Sequence, residues 1–202
     1  MGHLCKGVKR LLLFDGRGAS GTAINFFQDF GFDAVFHQPG ELRTFLRDRL
    51  ESPFRVLYQP SILPATFSLL PARPRVSALA RHFAAVTQMV IGCGRMIYAI
   101  DEVDRFTSAG WMPQGLDYLV NQGRHVQVSM ICTSRRPAQV PRELTSQAHL
   151  FYVFKMTEPG DVDYLRPYIG AAGADLLPRL QLYHCLRWEE TSGIQVLNSD
   201  GR

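Results

Sequence analysis

The sequence predicts an α/β fold in which a mostly parallel β-sheet is flanked by helices. Apolar runs of strand length alternate along the chain with helical patterns, for example Met96–Ile100 after residues 76–91. Unbroken apolar strands are typical of parallel sheets that helices cover on both faces. The first such run occupies residues 10–15, and a glycine-rich turn follows it. Because the 202 residues contain no internal repeat and no break in composition, we predict a single domain over residues 1–202.

The elements follow one another in a regular order. Strands are predicted where apolar residues form short runs, at residues 10–15, 34–37, 54–58, 96–100, 126–133 and 150–155. Helices are predicted where apolar residues recur every three or four positions, at residues 22–30, 40–50, 76–91, 113–121, 161–168 and 173–180. Residues 61–75 contain three prolines and are expected to form an irregular crossing or a lid. Residues 182–188 and 194–198 could pair as a C-terminal β-hairpin.

Composition and charge argue against several classes of protein. Hydrophobic residues make up 46% of the chain and charged residues 20%, as in globular domains rather than disordered chains. No apolar run is long enough for a membrane span or a signal peptide, so we expect a soluble, intracellular protein. The four cysteines are scattered without a CxxC pair, which does not suit a zinc site or a disulfide framework. The net charge of +4 comes mainly from arginine, which suits phosphate recognition but does not by itself indicate DNA.

The glycine-rich turn has the spacing of a nucleotide-binding P-loop. Such a loop reads GxxxxGK, then Ser or Thr, and its backbone N–H groups and helix N-terminus surround phosphates. The chain supplies the glycine frame in the sequence Gly16-Arg17-Gly18-Ala19-Ser20-Gly21. Either Thr22 replaces the lysine and Ala23 the magnesium-binding hydroxyl, or the lysine is missing and Thr22 still binds magnesium. Both alternatives remove the cation that neutralises the phosphates, and Arg17 is the nearest substitute.

The same turn admits two other interpretations. Small residues are also required by a tight turn that has no ligand. The turn further matches GxGxxG, the fingerprint of dinucleotide-binding folds. In those folds an acidic residue after the second strand binds the ribose; here Asp33 comes too early, and Glu41 follows Pro39 and Gly40. The dinucleotide interpretation also gives no role to the motifs farther along the chain.

The second motif is the acidic pair that follows Met96–Ile100. An apolar strand that ends in Asp-Glu matches the second motif of P-loop ATPases. There the aspartate holds magnesium and the glutamate polarises the attacking water. Asp101 and Glu102 are therefore the candidate metal-binding and catalytic residues, although solvated acids also end many ordinary strands.

The third motif lies at the next strand, which is preceded by Gly-Arg-His and followed by Thr-Ser-Arg-Arg-Pro. In an ATPase, Thr133 or Ser134 would lie near the γ-phosphate as a sensor. Arg124, Arg135 or Arg136 could reach a phosphate across a subunit interface. An arginine-rich loop next to a core strand is the alternative interpretation for each of these arginines.

The order of these motifs resembles the FtsK–HerA superfamily of P-loop ATPases. The shared features are the glycine frame, the strand Phe54–Tyr58 followed by Gln-Pro, Ile-Asp-Glu-Val-Asp, Gly-Arg-His, Thr-Ser-Arg-Arg-Pro and Phe-Lys-Met-Thr-Glu-Pro-Gly-Asp. They cover residues 9–169. The resemblance implies a P-loop NTPase-like domain that binds ATP and Mg²⁺ and assembles into a ring around duplex DNA. Residues 16–22 would bind the phosphates, Asp101 the magnesium, and Glu102 would be catalytic. The family often has glutamine where this chain has Ser134.

Two functions follow from the resemblance. One is a motor that couples ATP hydrolysis to movement of duplex DNA, as in DNA translocation or genome packaging. The other is a degenerate P-loop protein that binds nucleotide weakly or not at all and serves as a structural or assembly component of a phage or secretion machine. Partners would be DNA, copies of the chain, and other phage or assembly proteins. The expected location is the cytoplasm of a bacterial host, or the virion if a phage encodes the chain.

Overall fold

The computed structural model describes residue 5 and residues 7–16, 31–61 and 72–198. The chain divides into two compact units. The first comprises Met1–Thr107 and Met112–Arg135, and the second comprises Ser108–Trp111 and Arg136–Arg202. A single domain over residues 1–202 stays a prediction. Within the described ranges, no helix is long and apolar enough to cross a membrane.

The first unit contains a five-stranded parallel sheet. Its strands are β1 (Arg10–Phe14), β2 (Ala34–Phe36), β3 (Phe54–Tyr58), β4 (Met96–Ile100) and β5 (Val128–Cys132). Their order is β2-β3-β1-β4-β5, and every neighbouring pair is parallel. The predicted α/β fold with a mostly parallel sheet is confirmed. Because β1 lies at the centre, its four residues from Leu11 to Phe14 are completely buried.

Helices pack against the sheet of the first unit. They are α1 (Pro39–Arg47), α2 (Ala72–Cys93) and α3 (Gln114–Gln122), together with the 3₁₀ helices Val103–Arg105 and Gly123–Val126. Side chains alternate between the faces of a strand. On one face Leu11 and Leu13 pack with Leu57 and Ala99. On the other, the hydroxyl group of Tyr98 hydrogen bonds to that of Thr87 in α2 at 3.1 Å.

Several predicted boundaries differ from the structure. Strand β5 begins at Val128 instead of residue 126, because Gly123–Val126 turn as a 3₁₀ helix. The prediction of an irregular segment at residues 61–75 is wrong for its last four residues, because α2 begins at Ala72. Pro74 lies in the first turn of this helix, where the missing N–H costs no intrahelical hydrogen bond. The helix predicted at residues 22–30 lies outside the described residues, as do residues 62–71.

The second unit contains a three-stranded antiparallel sheet. Its strands β6 (Leu150–Phe154), β7 (Cys185–Glu189) and β8 (Gly193–Leu197) pair in that order, so the predicted C-terminal hairpin is confirmed and β6 is added to it. The helices are α4 (Arg142–Ser146) and α5 (Pro159–Leu176), with 3₁₀ helices at Pro137–Gln139 and Leu177–Arg179. Gly170 interrupts α5 with a φ of 73°, which explains why the sequence predicted two helices there.

Four aromatic rings in the first unit hold four chain segments together at the carboxyl ends of its strands. Phe14 ends β1 and stacks on Tyr58, which ends β3, with ring centroids 5.5 Å apart. Phe83 of α2 stacks on Phe106 at 4.3 Å and meets the edge of Phe14 at 5.3 Å. Such pairs add stabilisation beyond the burial of their area. The cluster therefore fixes the chain immediately before each of the loops that follow β1 and β3, and immediately after the acidic pair that follows β4.

Removal of the Phe83 ring should measure its contribution to this cluster. Phe83 is 1% exposed, so Phe83→Ala should lower the free energy of unfolding by about 3–5 kcal/mol, since it removes buried area and leaves a cavity. Tyr118 of α3 is 39% exposed, and Tyr118→Ala should cost about 1 kcal/mol or less. Urea unfolding followed by circular dichroism measures both changes. Equal losses in the two variants would contradict the assignment of Phe83 to the core.

Candidate functional site

The topology of the parallel sheet places a crevice between β1 and β4. After β1 the chain forms β2 and β3 on one side of it, and then crosses to form β4 and β5 on the other side. In open α/β sheets, ligands bind outside the carboxyl ends of the strands where the order reverses in this way. Gly16 follows β1 and Asp101 follows β4, so two of the predicted motifs meet at this crevice.

Gly16 has no room for a side chain. A Cβ atom at this position would overlap the carbonyl oxygen of Asp101 and would lie 3.3 Å from the ring of Phe106. The first glycine of the predicted phosphate loop is therefore required by packing against the segment that follows β4. The other predicted phosphate-binding residues lie outside the described residues: Arg17, Gly18, Ala19, Ser20, Gly21 and Thr22.

A single hydroxyl group connects the two acidic residues. Thr133 follows β5, and its Oγ1 donates a hydrogen bond to Oδ1 of Asp101 at 2.7 Å. The same Oγ1 accepts a hydrogen bond from the backbone N–H of Glu102 at 2.9 Å. The backbone N–H of Asp101 in turn donates to the carbonyl oxygen of Phe14 at 3.0 Å. The sequence suggested Thr133 only as a γ-phosphate sensor, and the structure places its hydroxyl group on Asp101.

Glu102 adopts a left-handed backbone conformation, with φ 54° and ψ 56°. This conformation is unfavourable for residues with a Cβ atom and is held here by the bond to Thr133 and by the 3₁₀ turn that follows. The Glu102 side chain is 12% exposed. Its carboxylate lies 3.2 Å from Nε of Arg135 and 3.6 Å from Nη1 of Arg105. A carboxylate held in a fixed direction at the crevice can accept a proton from a water molecule bound there.

Arg105 is a site residue that the sequence interpretation missed. Its Nη1 donates a hydrogen bond to the carbonyl oxygen of Gly16 at 2.6 Å, which joins the 3₁₀ turn to the start of the glycine-rich loop. Residues three apart are eclipsed along a 3₁₀ helix, so Arg105 lies next to Glu102. The signal in the sequence was an acidic and a basic residue three positions apart directly after an apolar strand.

A buried polar pair lies beside the start of the loop. Asp15 and Gln59 are both completely buried, and Nε2 of Gln59 donates to Oδ2 of Asp15 at 3.2 Å. Among the described residues, Oε1 of Gln59 has no hydrogen-bond partner. Next to this pair, the hydroxyl group of Tyr58 lies 2.6 Å from Nδ1 of His82. Burial lowers the pKa of His82, so its ring is neutral at pH 7 and Nδ1 can accept a hydrogen bond from the tyrosine hydroxyl group.

The remaining predicted residues take different positions. Ser134 follows Thr133 at the carboxyl edge of the sheet and is half-buried. Arg124 lies in the 3₁₀ helix that precedes β5, at the opposite edge of the sheet. The two ends of the five-residue strand β5 are roughly 15 Å apart. Arg124 therefore does not reach the crevice of its own chain, and a role across a subunit interface stays a prediction.

A magnesium ion bound together with a nucleotide would fit the described residues. They contain no cluster of three or more His, Cys, Asp and Glu side chains that could hold a metal. Mg²⁺ bound with nucleotide generally uses one or two carboxylates together with phosphate oxygens and water. Asp101 meets that requirement, because its carboxylate is positioned by Thr133 at the carboxyl end of β4.

Comparisons with known proteins identify the fold. No family model matches the sequence, and no curated protein matches it. Among solved structures, the genome packaging NTPase B204 from Sulfolobus turreted icosahedral virus 2 in complex with ATP-gammaS has a TM-score of 0.53. It is 18% identical, and the match covers 93% of this chain and 96% of that chain. The DNA-packaging ATPase B204 from Sulfolobus turreted icosahedral virus has a TM-score of 0.54 at 16% identity, over 94% of this chain and 97% of that one.

These similarities concern the fold. At 16–18% identity the chain shares the architecture of the two viral NTPases along nearly its full length. The P-loop NTPase-like fold is thus confirmed.

The close approach of Gly16 to Asp101 can be tested directly. Gly16→Ala should lower the free energy of unfolding by about 1–3 kcal/mol, because the added Cβ atom forces the two backbones apart. Gly92 of α2 has no atom within 4 Å of an added Cβ, so Gly92→Ala should be neutral or stabilise by up to about 1 kcal/mol. Chemical unfolding of both variants decides the matter. A Gly16→Ala variant as stable as the Gly92→Ala variant would contradict the close approach.

The Thr133 hydroxyl group should contribute to stability as well as to geometry. Thr133→Val keeps the shape of the side chain but leaves the N–H of Glu102 and one oxygen of Asp101 without this partner. We expect a loss of about 1–3 kcal/mol in the free energy of unfolding. Thr133→Ser keeps the hydroxyl group and should recover most of that loss. If the serine variant is no more stable than the valine variant, the hydrogen bonds are not the cause.

Proposed function

We propose that the chain is an ATPase of the FtsK–HerA superfamily and acts as a motor of the DNA-translocating or genome-packaging type. The observation that carries the proposal is the crevice at the reversal of strand order. There the first glycine of the loop contacts Asp101, and Thr133 positions both Asp101 and Glu102. This arrangement places the start of the glycine frame beside one carboxylate for a cation and a second carboxylate for a water molecule. The packaging NTPases that share the fold support the same function.

Each residue then has a distinct role. Residues 16–22 bind the phosphates of ATP through their backbone N–H groups. Asp101, together with Thr22, holds Mg²⁺, which neutralises the charge that develops on the phosphates. Glu102 orients the attacking water molecule and accepts its proton, while Ser134 contacts the γ-phosphate. Because Glu102 already points in a fixed direction, little reorganisation of its backbone is required.

Duplex DNA and a ring of identical subunits belong to the proposed function. The superfamily resemblance implies both, and the viral proteins that share the fold are genome-packaging NTPases. In a ring, the arginine of one subunit can reach a nucleotide bound by the next. Arg124 is the candidate, because it lies too far from the crevice of its own chain to act there.

A second candidate function is a degenerate P-loop protein that serves as a structural or assembly component. It is favoured by one observation, Thr22 and Ala23 in place of lysine and a hydroxyl residue. A charge-assisted hydrogen bond contributes about 1.5–3 kcal/mol, so its loss would weaken ATP binding tenfold or more. Gly16 and the sheet would be retained in such a protein, since both are required by packing.

Turnover measurements separate the two functions. The purified chain should hydrolyse ATP in the presence of Mg²⁺, and duplex DNA should stimulate the reaction. Glu102→Gln should lower kcat at least about 100-fold and leave ATP binding within a few fold, because it removes the proton acceptor but keeps the shape of the side chain. Glu51→Gln is the matched control. Glu51 also pairs with an arginine, Arg95, but it is 83% exposed and precedes β3 at the opposite edge of the sheet.

The outcomes assign the function. Hydrolysis that is lost in Glu102→Gln and kept in Glu51→Gln supports the motor. ATP binding without hydrolysis, with DNA present and oligomers formed, would reject the motor and favour the degenerate component. Equal loss of turnover in the two variants would remove Glu102 from the mechanism.

A further inference from the structure

The glycine-rich loop lacks its lysine, and the described part of the first unit has no lysine beside the loop. The chain has three lysines, Lys6, Lys9 and Lys155. Lys9 precedes β1 and therefore lies at the edge of the sheet opposite to Gly16. Lys6 lies outside the described residues, and Lys155 belongs to the second unit. A cation for the crevice in the first unit is therefore best sought among the arginines.

Arg105 is the arginine that already contacts the loop. Its Nη1 bonds to the carbonyl oxygen of Gly16 and faces the carboxylate of Glu102. Its side chain is 31% exposed, so its charge is screened less than that of a fully exposed arginine. A guanidinium group carries five N–H donors in a planar fork. The bonds that it makes to described residues use Nη1, so Nε and Nη2 retain donors for an anion.

The backbone of Arg105 is held on both sides. The N–H of Val103 bonds to the carbonyl oxygen of Thr133 at 2.9 Å. Phe106, the next residue, is 5% exposed and stacks on Phe83. Arg135 differs from Arg105, because its side chain is 71% exposed although it pairs with the same carboxylate. Of the two arginines on Glu102, Arg105 is the one fixed at the start of the loop.

We propose that Arg105 is a phosphate-binding residue that supplies the positive charge missing from the loop. One N–H group holds the carbonyl oxygen of Gly16, and the remaining donors bind the terminal phosphates of a nucleoside triphosphate. The site thus takes its cation from the turn after β4 instead of from the loop after β1. This inference rests on the proposed function, because it requires that the crevice binds a nucleotide.

Equilibrium binding tests the inference without turnover. Isothermal titration calorimetry would measure the affinity of the whole chain for ATP and for AMP, each with Mg²⁺. Arg105→Gln should weaken ATP binding at least about tenfold, equivalent to about 1.4 kcal/mol, and should change AMP binding much less. Arg105→Lys restores the charge and should recover part of the loss. Arg95→Gln is the matched control. Arg95 also pairs with a glutamate, Glu51, but precedes β4 at the end opposite to the crevice, and the variant should leave ATP binding within about threefold.

A chemical-modification experiment on the unaltered chain tests the role of Arg105 even if Arg105→Gln fails to fold. Phenylglyoxal modifies accessible arginines, and mass spectrometry identifies the sites. ATP should protect Arg105 several-fold against modification, and it should leave the exposed Arg135 unprotected.

The outcomes are distinguishable from those of the proposed function. If the unaltered chain binds ATP and Arg105→Gln binds it equally well, the role of Arg105 is wrong and the proposed function stands. Equal losses in Arg105→Gln and Arg95→Gln would show that the overall positive charge, and not its position at the crevice, is what matters, which also rejects the role. If the unaltered chain does not bind ATP at all, the proposed function fails, and the role of Arg105 fails with it.

Discussion

The contact between the backbones of Gly16 and Asp101 is the constraint on which the candidate site depends. Two parallel strands that pair side by side bring their carboxyl ends together, but the loops that follow can meet only if one has no side chain. Glycine at position 16 allows this approach. The carbonyl group of Gly16 then becomes available to Arg105, and the acidic pair lies directly against the start of the loop. The position of every described site residue at the crevice follows from this contact.

The Thr133 hydroxyl group extends that constraint to a third strand. It bonds to both residues that follow β4, while the N–H of Asp101 continues the ladder to β1. Three neighbouring strands are thus coupled by hydrogen bonds at the point where they end. The left-handed conformation of Glu102 is tolerated only within such a network, because each bond offsets part of its cost. The strained residue is also the one with the proposed catalytic role, as expected when a site is organised in advance.

The strands and the acidic pair could be predicted because each depends on residues that are adjacent in the sequence. Contacts between residues far apart in the sequence were missed. The strands β3 and β4 were predicted to the residue because four of the five residues in each are apolar or aromatic and buried. Asp101 and Glu102 were found because they directly follow such a strand. Arg105 was missed, since nothing near it in the sequence indicates that its guanidinium group reaches Gly16 across 89 positions. The antiparallel sheet of the second unit was predicted only as a hairpin, because the pairing of β6 with β7 spans a long helical segment.

Packing and charge carry different information about this site. Gly16 is required by the backbone of Asp101, so an active ATPase and an inert descendant with the same fold would both retain it. The pair of Arg105 and Glu102 is different, because burial of charged groups costs free energy that an ion pair at 3.6 Å only partly returns. A purely structural turn could place apolar residues there without that cost. The charged groups around Glu102 therefore favour a crevice that binds an anion, and they make Arg105, more than the glycine frame, the residue that distinguishes the two functions.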